Sequence, residues 1–171
     1  FPTRRSSDLT KAAMGDAYAD GPVDQVIFKL ADQGRMGRKA KAGFYDYDEA
    51  GKRQGLWSGL EQQCPEASAQ PELTEVEHRL MFVQSLEAVR ALEEGVLEDI
   101  REGDVGAILG WGFAPWSGGP FSWLDMLGAP RAVDIADDLA AKFGPRFAAP
   151  QLLRDMAARG ESFYGADRRA G

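Results

Sequence analysis

The stretch 110–128, GWGFAPWSGGPFSWLDMLG, is the part of the sequence from which the rest is best interpreted. It contains five glycines, two prolines, three of the four tryptophans and two phenylalanines. Aromatic side chains supply large apolar areas, whereas glycine lets the backbone approach closely or adopt positive φ. The combination predicts a tight loop over 112–119 and a short helix from Pro120, with Gly128 just past its end. Such a loop serves either as a packing device or as part of a functional site.

The helix before this stretch is predicted to be the centre of the core. Thr74 and Glu77 have the spacing of a capping box, so a helix should begin at Thr74 and run to about Glu94, ending at Gly95. Its apolar residues cover more than half of its circumference, which predicts burial on most sides. We expect Leu86→Ala to be among the costliest substitutions. The apolar positions are Leu80, Phe82, Val83, Leu86, Val89 and Leu92.

Prolines and glycines delimit the other predicted helices. Each starts near a proline or a polar residue and stops at a glycine. Residues 44–47 alternate like a short strand, 48–51 form a turn, and a brief helical segment follows Trp57. The chain as a whole is predicted to be all-α. The helices are expected at 22–33, 101–109, 130–143 and 151–159, with a shorter one within 10–19.

Composition restricts the classes of function. A net charge of −7 argues against nucleic acid as a main partner, because phosphate binding needs a basic face. No apolar run approaches the roughly 20 residues of a membrane span. Cys64 is the only cysteine, so no internal disulfide can form, and this fits a reducing, cytoplasmic compartment. Cys64 and the only histidine, His78, are interpreted as surface residues without a catalytic role.

One basic stretch stands out in this acidic chain. Residues 35–43, RMGRKAKAG, hold four cations and no acid. They could contact the phosphates of coenzyme A or of a nucleotide, or they could be a solvated loop that follows a helix C-terminus, where the helix dipole favours cations. The spacing is not that of a P-loop. The candidate substrate-binding residues are Arg38, Lys39, Lys41 and Phe44.

Two segments together resemble a known family. GFAPWSGGPFSWLDMLG is similar to the glycine–proline segment of the C-terminal helical domain of 3-hydroxyacyl-CoA dehydrogenases, and the preceding HRLMFVQSLEAVRALEEGV extends the match. GRMGRKAKAGFYDYD, at 34–48, resembles the closing segment of the same domain. The residues that carry the first match are Gly112, Phe113, Gly119, Pro120, Phe121, Asp125 and Gly128.

An internal repeat indicates how the domains are arranged. VIFKLADQGRMG…GFY, at 26–45, parallels QLLRDMAARGESFY, at 151–164. We therefore expect residues 10–60 to be the tail of a truncated first helical copy, 61–73 a linker and 74–165 a complete second copy. Residues 1–9 are expected to be unstructured or artefactual, and 166–171 a tail. The resemblance implies an all-α domain of the 6-phosphogluconate dehydrogenase C-terminal-like type, arranged as in multifunctional fatty-acid oxidation proteins.

The resemblance also implies a function. It predicts a C-terminal, substrate-side and pairing domain of an NAD-dependent 3-hydroxyacyl-CoA dehydrogenase in fatty-acid β-oxidation, with or without an enoyl-CoA hydratase in the parent. The expected partners are the parent's nucleotide-binding domain, an acyl-CoA and a second copy in a homo-oligomer. No GxGxxG motif occurs, so NAD would bind the parent and this fragment would hold no cofactor, metal or catalytic residue. The alternative is a free-standing helical protein-interaction module.

Overall fold

The computed structural model describes residues 9, 11–15, 18 and 21–165. The predictions for residues 1–8 and 166–171 therefore lie outside the described residues. Backbone contacts divide the chain between Ala69 and Gln70 into a first and a second unit, and each is described by itself. This division falls within the stretch 61–73, and the assignment of the units as two copies of one domain stays a prediction.

The first unit combines short helices with one hairpin. Helix α1 begins at Pro22, as the sequence predicts, and ends where the Arg35 N–H donates to the Leu30 carbonyl at 2.8 Å. Strands β1 and β2 pair antiparallel, with Tyr45 opposite Leu56. β2 was not predicted, because its sequence RQGL has no alternating apolar pattern and all four residues are exposed. The elements are α1 Pro22–Asp32, a 3-10 turn Arg38–Ala40, β1 Tyr45–Tyr47, β2 Arg53–Leu56 and α2 Leu60–Gln63, and residues 11–14 are also helical.

All regular secondary structure among the described residues of the second unit is helical. The helix starts and ends agree with the proline and glycine positions to within about two residues, and the all-α class is confirmed. The loop and short helix predicted from 110–128 are both present, and Gly128 has a φ of 82°. The elements are α3 Leu73–Glu93, α4 Ile100–Trp111, a 3-10 turn Pro115–Ser117, α5 Pro120–Leu127, α6 Ala129–Phe143, a 3-10 turn Pro145–Phe147 and α7 Gln151–Arg159.

The core of the second unit forms where α3 and α5 meet. The rings of Phe82 and Trp123 pack edge to face with their centroids 4.9 Å apart. Leu86 and Val89 continue the same face of α3 and are fully buried. Helices α6 and α7 close the cluster with small side chains such as Ala136 and with larger ones such as Leu153. The loop before α5 therefore places its aromatic helix directly on the central helix.

Two details of the prediction for α3 are wrong. The helix begins at Leu73, and the Glu72 carbonyl already accepts from the Val76 N–H, so Thr74 lies inside the helix and cannot cap it. The helix is also not buried on most sides: Leu80 is 60% exposed and Val83 is 37% exposed. The buried residues of α3 recur at helical spacing along one face, and within this unit only that face is covered.

Candidate functional site

The start of α5 is held by a buried carboxylate. Asp104, on α4, accepts from the Phe121 N–H at 2.8 Å and from the Ser122 N–H at 3.1 Å, and also from the Ser122 hydroxyl. The first N–H groups of a helix have no partner within the helix, and a negative charge near them is favourable. Asp104 therefore caps α5 from a neighbouring helix.

A second carboxylate attaches the segment after α7 to the same helix. Asp125 accepts from the Phe163 N–H at 2.8 Å and from the Tyr164 N–H at 3.0 Å. The Tyr164 hydroxyl then donates to Asp104 at 2.8 Å, and the Phe163 ring packs edge to face on Phe121. These contacts fix α5 at both ends. Within this unit, the stretch 110–128 therefore serves to pack α5 against its neighbours.

Glycines make this close packing possible. Gly119 has a φ of 113°, and a side-chain carbon there would lie 2.5 Å from Asp104 Cγ. Gly103 lies on α4, and a side-chain carbon there would lie 2.6 Å from the Phe121 ring and 2.7 Å from Leu97. Approach of α4 to α5 therefore requires both positions to lack a side chain.

In the first unit, Arg35 organises the chain after α1. Its Nε donates to the Gly43 carbonyl at 2.8 Å, and its Nη2 pairs with Asp46 Oδ1 at 2.5 Å. Its guanidinium also stacks on Trp57, 4.2 Å from the ring centroid. The Arg35 guanidinium is therefore paired within the first unit, where it connects the hairpin to the loop that follows α1.

The predicted substrate-binding residues do not line one common cavity among those described below. Lys41 has a left-handed φ of 56° and forms an ion pair with Glu49. Arg38 Nε donates to the Gly51 carbonyl at 3.0 Å. Lys39 is exposed and, within the described part of the chain, makes no hydrogen bond or ion pair.

Phe44 lies apart from these cations. It lines an apolar cavity of about 320 Å³ between α1 and the segment that leads into β1. Ile27 and Leu30 line the same cavity from α1, and none of the three predicted cations Arg38, Lys39 and Lys41 does. The geometry therefore separates the aromatic and the cationic parts of the predicted set.

A second cavity, the cationic cleft, is lined by the hairpin and by Arg38. It has a volume of about 440 Å³, and half of its lining residues are cations. Sequence reasoning found only Arg38 in it, because Lys52 and Arg53 come after the turn and outside the basic run. Pairing of β1 with β2 could have indicated them, since it returns Arg53 to a position opposite Tyr47. The lining residues are Arg38, Tyr47, Ala50, Gly51, Lys52 and Arg53.

The described strands do not form the parallel sheet of a Rossmann-type nucleotide site. They form one two-stranded antiparallel sheet, whereas NAD binds at the carboxyl ends of parallel strands beside a glycine-rich helix start. His78 packs edge-on against Phe82 with centroids 5.8 Å apart. Among the described residues, no group of three metal-ligating side chains could hold an ion, and no helix has the length and apolarity to cross a bilayer.

The shifts in pKa belong to residues in ion pairs on the helices or next to their ends. Hydrogen bonds from the Arg101 side chain, and then from its N–H, lower the pKa of Asp99 to about 2. The hydrogen bond from Arg154 lowers the pKa of Asp137. Asp99 precedes α4, whereas Asp137 links α6 to α7 through Arg154. Both are structural, and neither lines a cavity described above.

The helical fold and the glycine–proline start of α5 agree with the resemblance that the sequence motifs indicate. No family model matches the chain. The chain is 41% identical over 143 residues to the fatty acid oxidation complex subunit alpha of Shewanella amazonensis. That alignment covers 80% of this chain and 20% of the relative, so the chain spans about a fifth of that protein's length. The resemblance predicted from the motifs is therefore confirmed, and it concerns a small part of the relative.

Proposed function

We propose that this chain acts as the C-terminal, substrate-side and pairing portion of an NAD-dependent 3-hydroxyacyl-CoA dehydrogenase in fatty-acid β-oxidation. The observation that carries the proposal is the 41% identity over 143 residues to a fatty acid oxidation complex alpha subunit. NAD and the catalytic groups belong to the parent's nucleotide-binding domain, and the expected location is cytoplasmic. Alone, the chain should turn over no substrate.

The structure supports this role through rigidity rather than through reactive groups. In the second unit, carboxylates fix both ends of α5 on a packed core. Such a scaffold can hold one wall of a cleft in place for a catalytic domain. In the first unit, Arg38, Lys39 and Lys41 are the proposed contacts for the phosphates of an acyl-CoA.

The proposal can be tested by complementation. The relative's alpha subunit is shortened by the fifth that aligns with this chain, and the chain is then supplied in trans. NADH formation from a 3-hydroxyacyl-CoA is measured. We expect activity to rise above that of the shortened subunit alone, and the isolated chain to form no NADH.

Two substitutions of the same chemical type provide the controls. Asp104→Asn weakens the cap of α5 and should reduce the restored activity. Asp138→Asn, at an exposed position on α6, should leave the restored activity unchanged. No rise with the unmodified chain, or NADH formation by the chain alone, would contradict the proposal.

The alternative, a free-standing interaction module, is favoured by one observation. Around the end of α4, Leu109 is 81% exposed, Trp111 62% and Trp116 72%. Apolar surface of this kind commonly marks an interaction site. Under the main proposal the same surface would pair with the parent or with a second copy.

A further inference from the structure

We propose that the cationic cleft of the first unit binds a diphosphate group. This inference rests on the proposed function and specifies its substrate contacts. Coenzyme A is one of the probes for that reason. The cleft differs from the basic stretch of the sequence, because two of its three cations follow the turn. It is formed by the hairpin together with the 3-10 turn at Arg38–Ala40.

The donors of the cleft are available. Arg38 uses only its Nε, on the Gly51 carbonyl, which orients the guanidinium and leaves its terminal nitrogens for a ligand. The ammonium of Lys52 makes no hydrogen bond or ion pair with any described residue. The Arg53 guanidinium stacks on Tyr45, 4.6 Å from the ring centroid, and has no acidic partner among the described residues. Stacking holds a guanidinium in place without neutralising its charge.

The nearby acids are directed elsewhere. Asp48 accepts from the Lys52 N–H at 2.9 Å and from the Gln54 amide at 2.9 Å, which closes the turn. Glu49 pairs with Lys41. Neither acid lines the cleft. Three cations therefore face a concave surface with no carboxylate in its lining, in a chain whose net charge is −7.

The number of cations indicates the class of ligand. Three positive groups match the charge of a diphosphate better than that of a single carboxylate, and arginine favours the planar, paired oxygens of phosphate groups. Tyr47 adds an aromatic surface to the lining. Coenzyme A, ADP and free pyrophosphate share the diphosphate, and the experiment separates these sources.

The test is a titration of the full chain, followed by ¹⁵N-NMR, with pyrophosphate, ADP and coenzyme A at about 20 mM NaCl. We expect the amides of Tyr47, Gly51, Lys52 and Arg53 to shift with all three probes, and the binding to weaken as salt screens the charges. Coenzyme A binding more tightly than pyrophosphate assigns it as the source. No shift at these amides with any probe overturns the proposal.

Lys52→Gln is the informative variant, because the Lys52 ammonium makes no hydrogen bond or ion pair with a described residue, and its loss should leave the fold intact. It should weaken pyrophosphate binding by about three- to fivefold, as expected for loss of one exposed charge. Lys29→Gln, an exposed cation on α1 of the same unit and outside the cleft, is the matched control and should change the affinity by less than about 1.5-fold. Equal weakening by the two variants would show a general field and would overturn the site. The titration tests only ligand binding in the cleft, whereas the complementation assay tests only the role of the chain in the dehydrogenase. Failure of one proposal can therefore be distinguished from failure of the other.

Discussion

At the scale of single residues, two carboxylates of the second unit satisfy backbone N–H groups from other segments of the chain. Asp104 and Asp125 together accept four backbone N–H bonds, two at the start of α5 and two in the segment after α7. A buried donor without an acceptor costs more than a hydrogen bond contributes. These carboxylates therefore determine which positions of α5 are possible.

We expect Asp104→Asn to lower the free energy of unfolding by about 1–3 kcal/mol. The amide has one carbonyl oxygen, so at least one of the Phe121 and Ser122 N–H groups would lose its acceptor. Tyr164→Phe removes the hydroxyl bond to Asp104 and should cost about 0.5–1.5 kcal/mol. Urea denaturation followed by tryptophan fluorescence measures both. An Asp104→Asn variant as stable as the parent would contradict this account of the cap.

Alanine substitutions at two adjacent residues of α3 should have opposite effects on stability. Leu86 is fully buried, and Leu86→Ala should cost about 2–5 kcal/mol through lost contacts and a cavity. Ser85 is equally buried, and its hydroxyl has no hydrogen-bond partner among the described residues. Ser85→Ala removes that unpaired group and raises helix propensity, so stability should stay equal or increase. Thermal unfolding of the two variants side by side tests the pair.

At the scale of elements, the helix ends lie within about two residues of the predicted positions, and the close approach of α4 to α5 depends on glycines. The glycine at 160 ends α7 with a left-handed φ of 65°, and the glycine at 34 follows α1 with a φ of 75°. In both places the next N–H donates to a carbonyl five residues earlier. The helices α1 and α7, which correspond in the predicted repeat, therefore end in the same C-terminal motif.

Alanine substitutions at two glycines of α4 separate the effect of packing from that of helix propensity. Gly103→Ala would place a methyl group against Phe121 and Leu97, and we expect a loss of about 1–3 kcal/mol from overpacking. Gly106 has open space around it, so Gly106→Ala should stabilise the helix by up to about 1 kcal/mol. Urea midpoints for the two variants provide the measurement. If both changes were stabilising, the close approach of α4 to α5 would be wrong.

The cap of α4 should contribute a pH dependence. The pKa of Asp99 is about 2 in the folded chain and near 3.8 unfolded, so its stabilising effect is complete above pH 4 and is lost as the pH falls towards 2. Asp99→Asn keeps a capping oxygen but has no charge to titrate. We therefore expect the variant to lose less stability than the parent between pH 4.5 and 2.5, as measured by melting temperature. Parallel losses would exclude Asp99 as a source.

At the scale of the whole molecule, the described structure divides into a unit with a continuous helical core and a unit held by a hairpin and an arginine. The second unit has sixteen acidic and eight basic residues within 70–165. Repulsion between these negative charges opposes self-association. The exposed apolar side chains of Leu109 and Trp116 promote it.

We expect the isolated chain to self-associate, and more strongly at high salt, where repulsion is screened. Sedimentation velocity over a range of concentrations measures this. Replacing Leu109 and Trp116 together by serine should shift the population towards monomer. A monomer at all concentrations and salt levels would contradict the prediction and weaken the case for a pairing surface.

The sequence by itself determined the local features of this protein: the all-α class, the helix bounds set by prolines and glycines, the loop and helix at 112–128, and the family resemblance. These follow from backbone preferences that a few neighbouring residues impose. Only the tertiary structure decided that Asp104 caps α5, that Leu80 and Val83 of α3 are exposed, and that Arg38 shares a cleft with Lys52 and Arg53 rather than with Lys39 and Lys41. Burial and charge clustering depend on which distant segments pack together, and periodicity along one helix or strand does not contain that information.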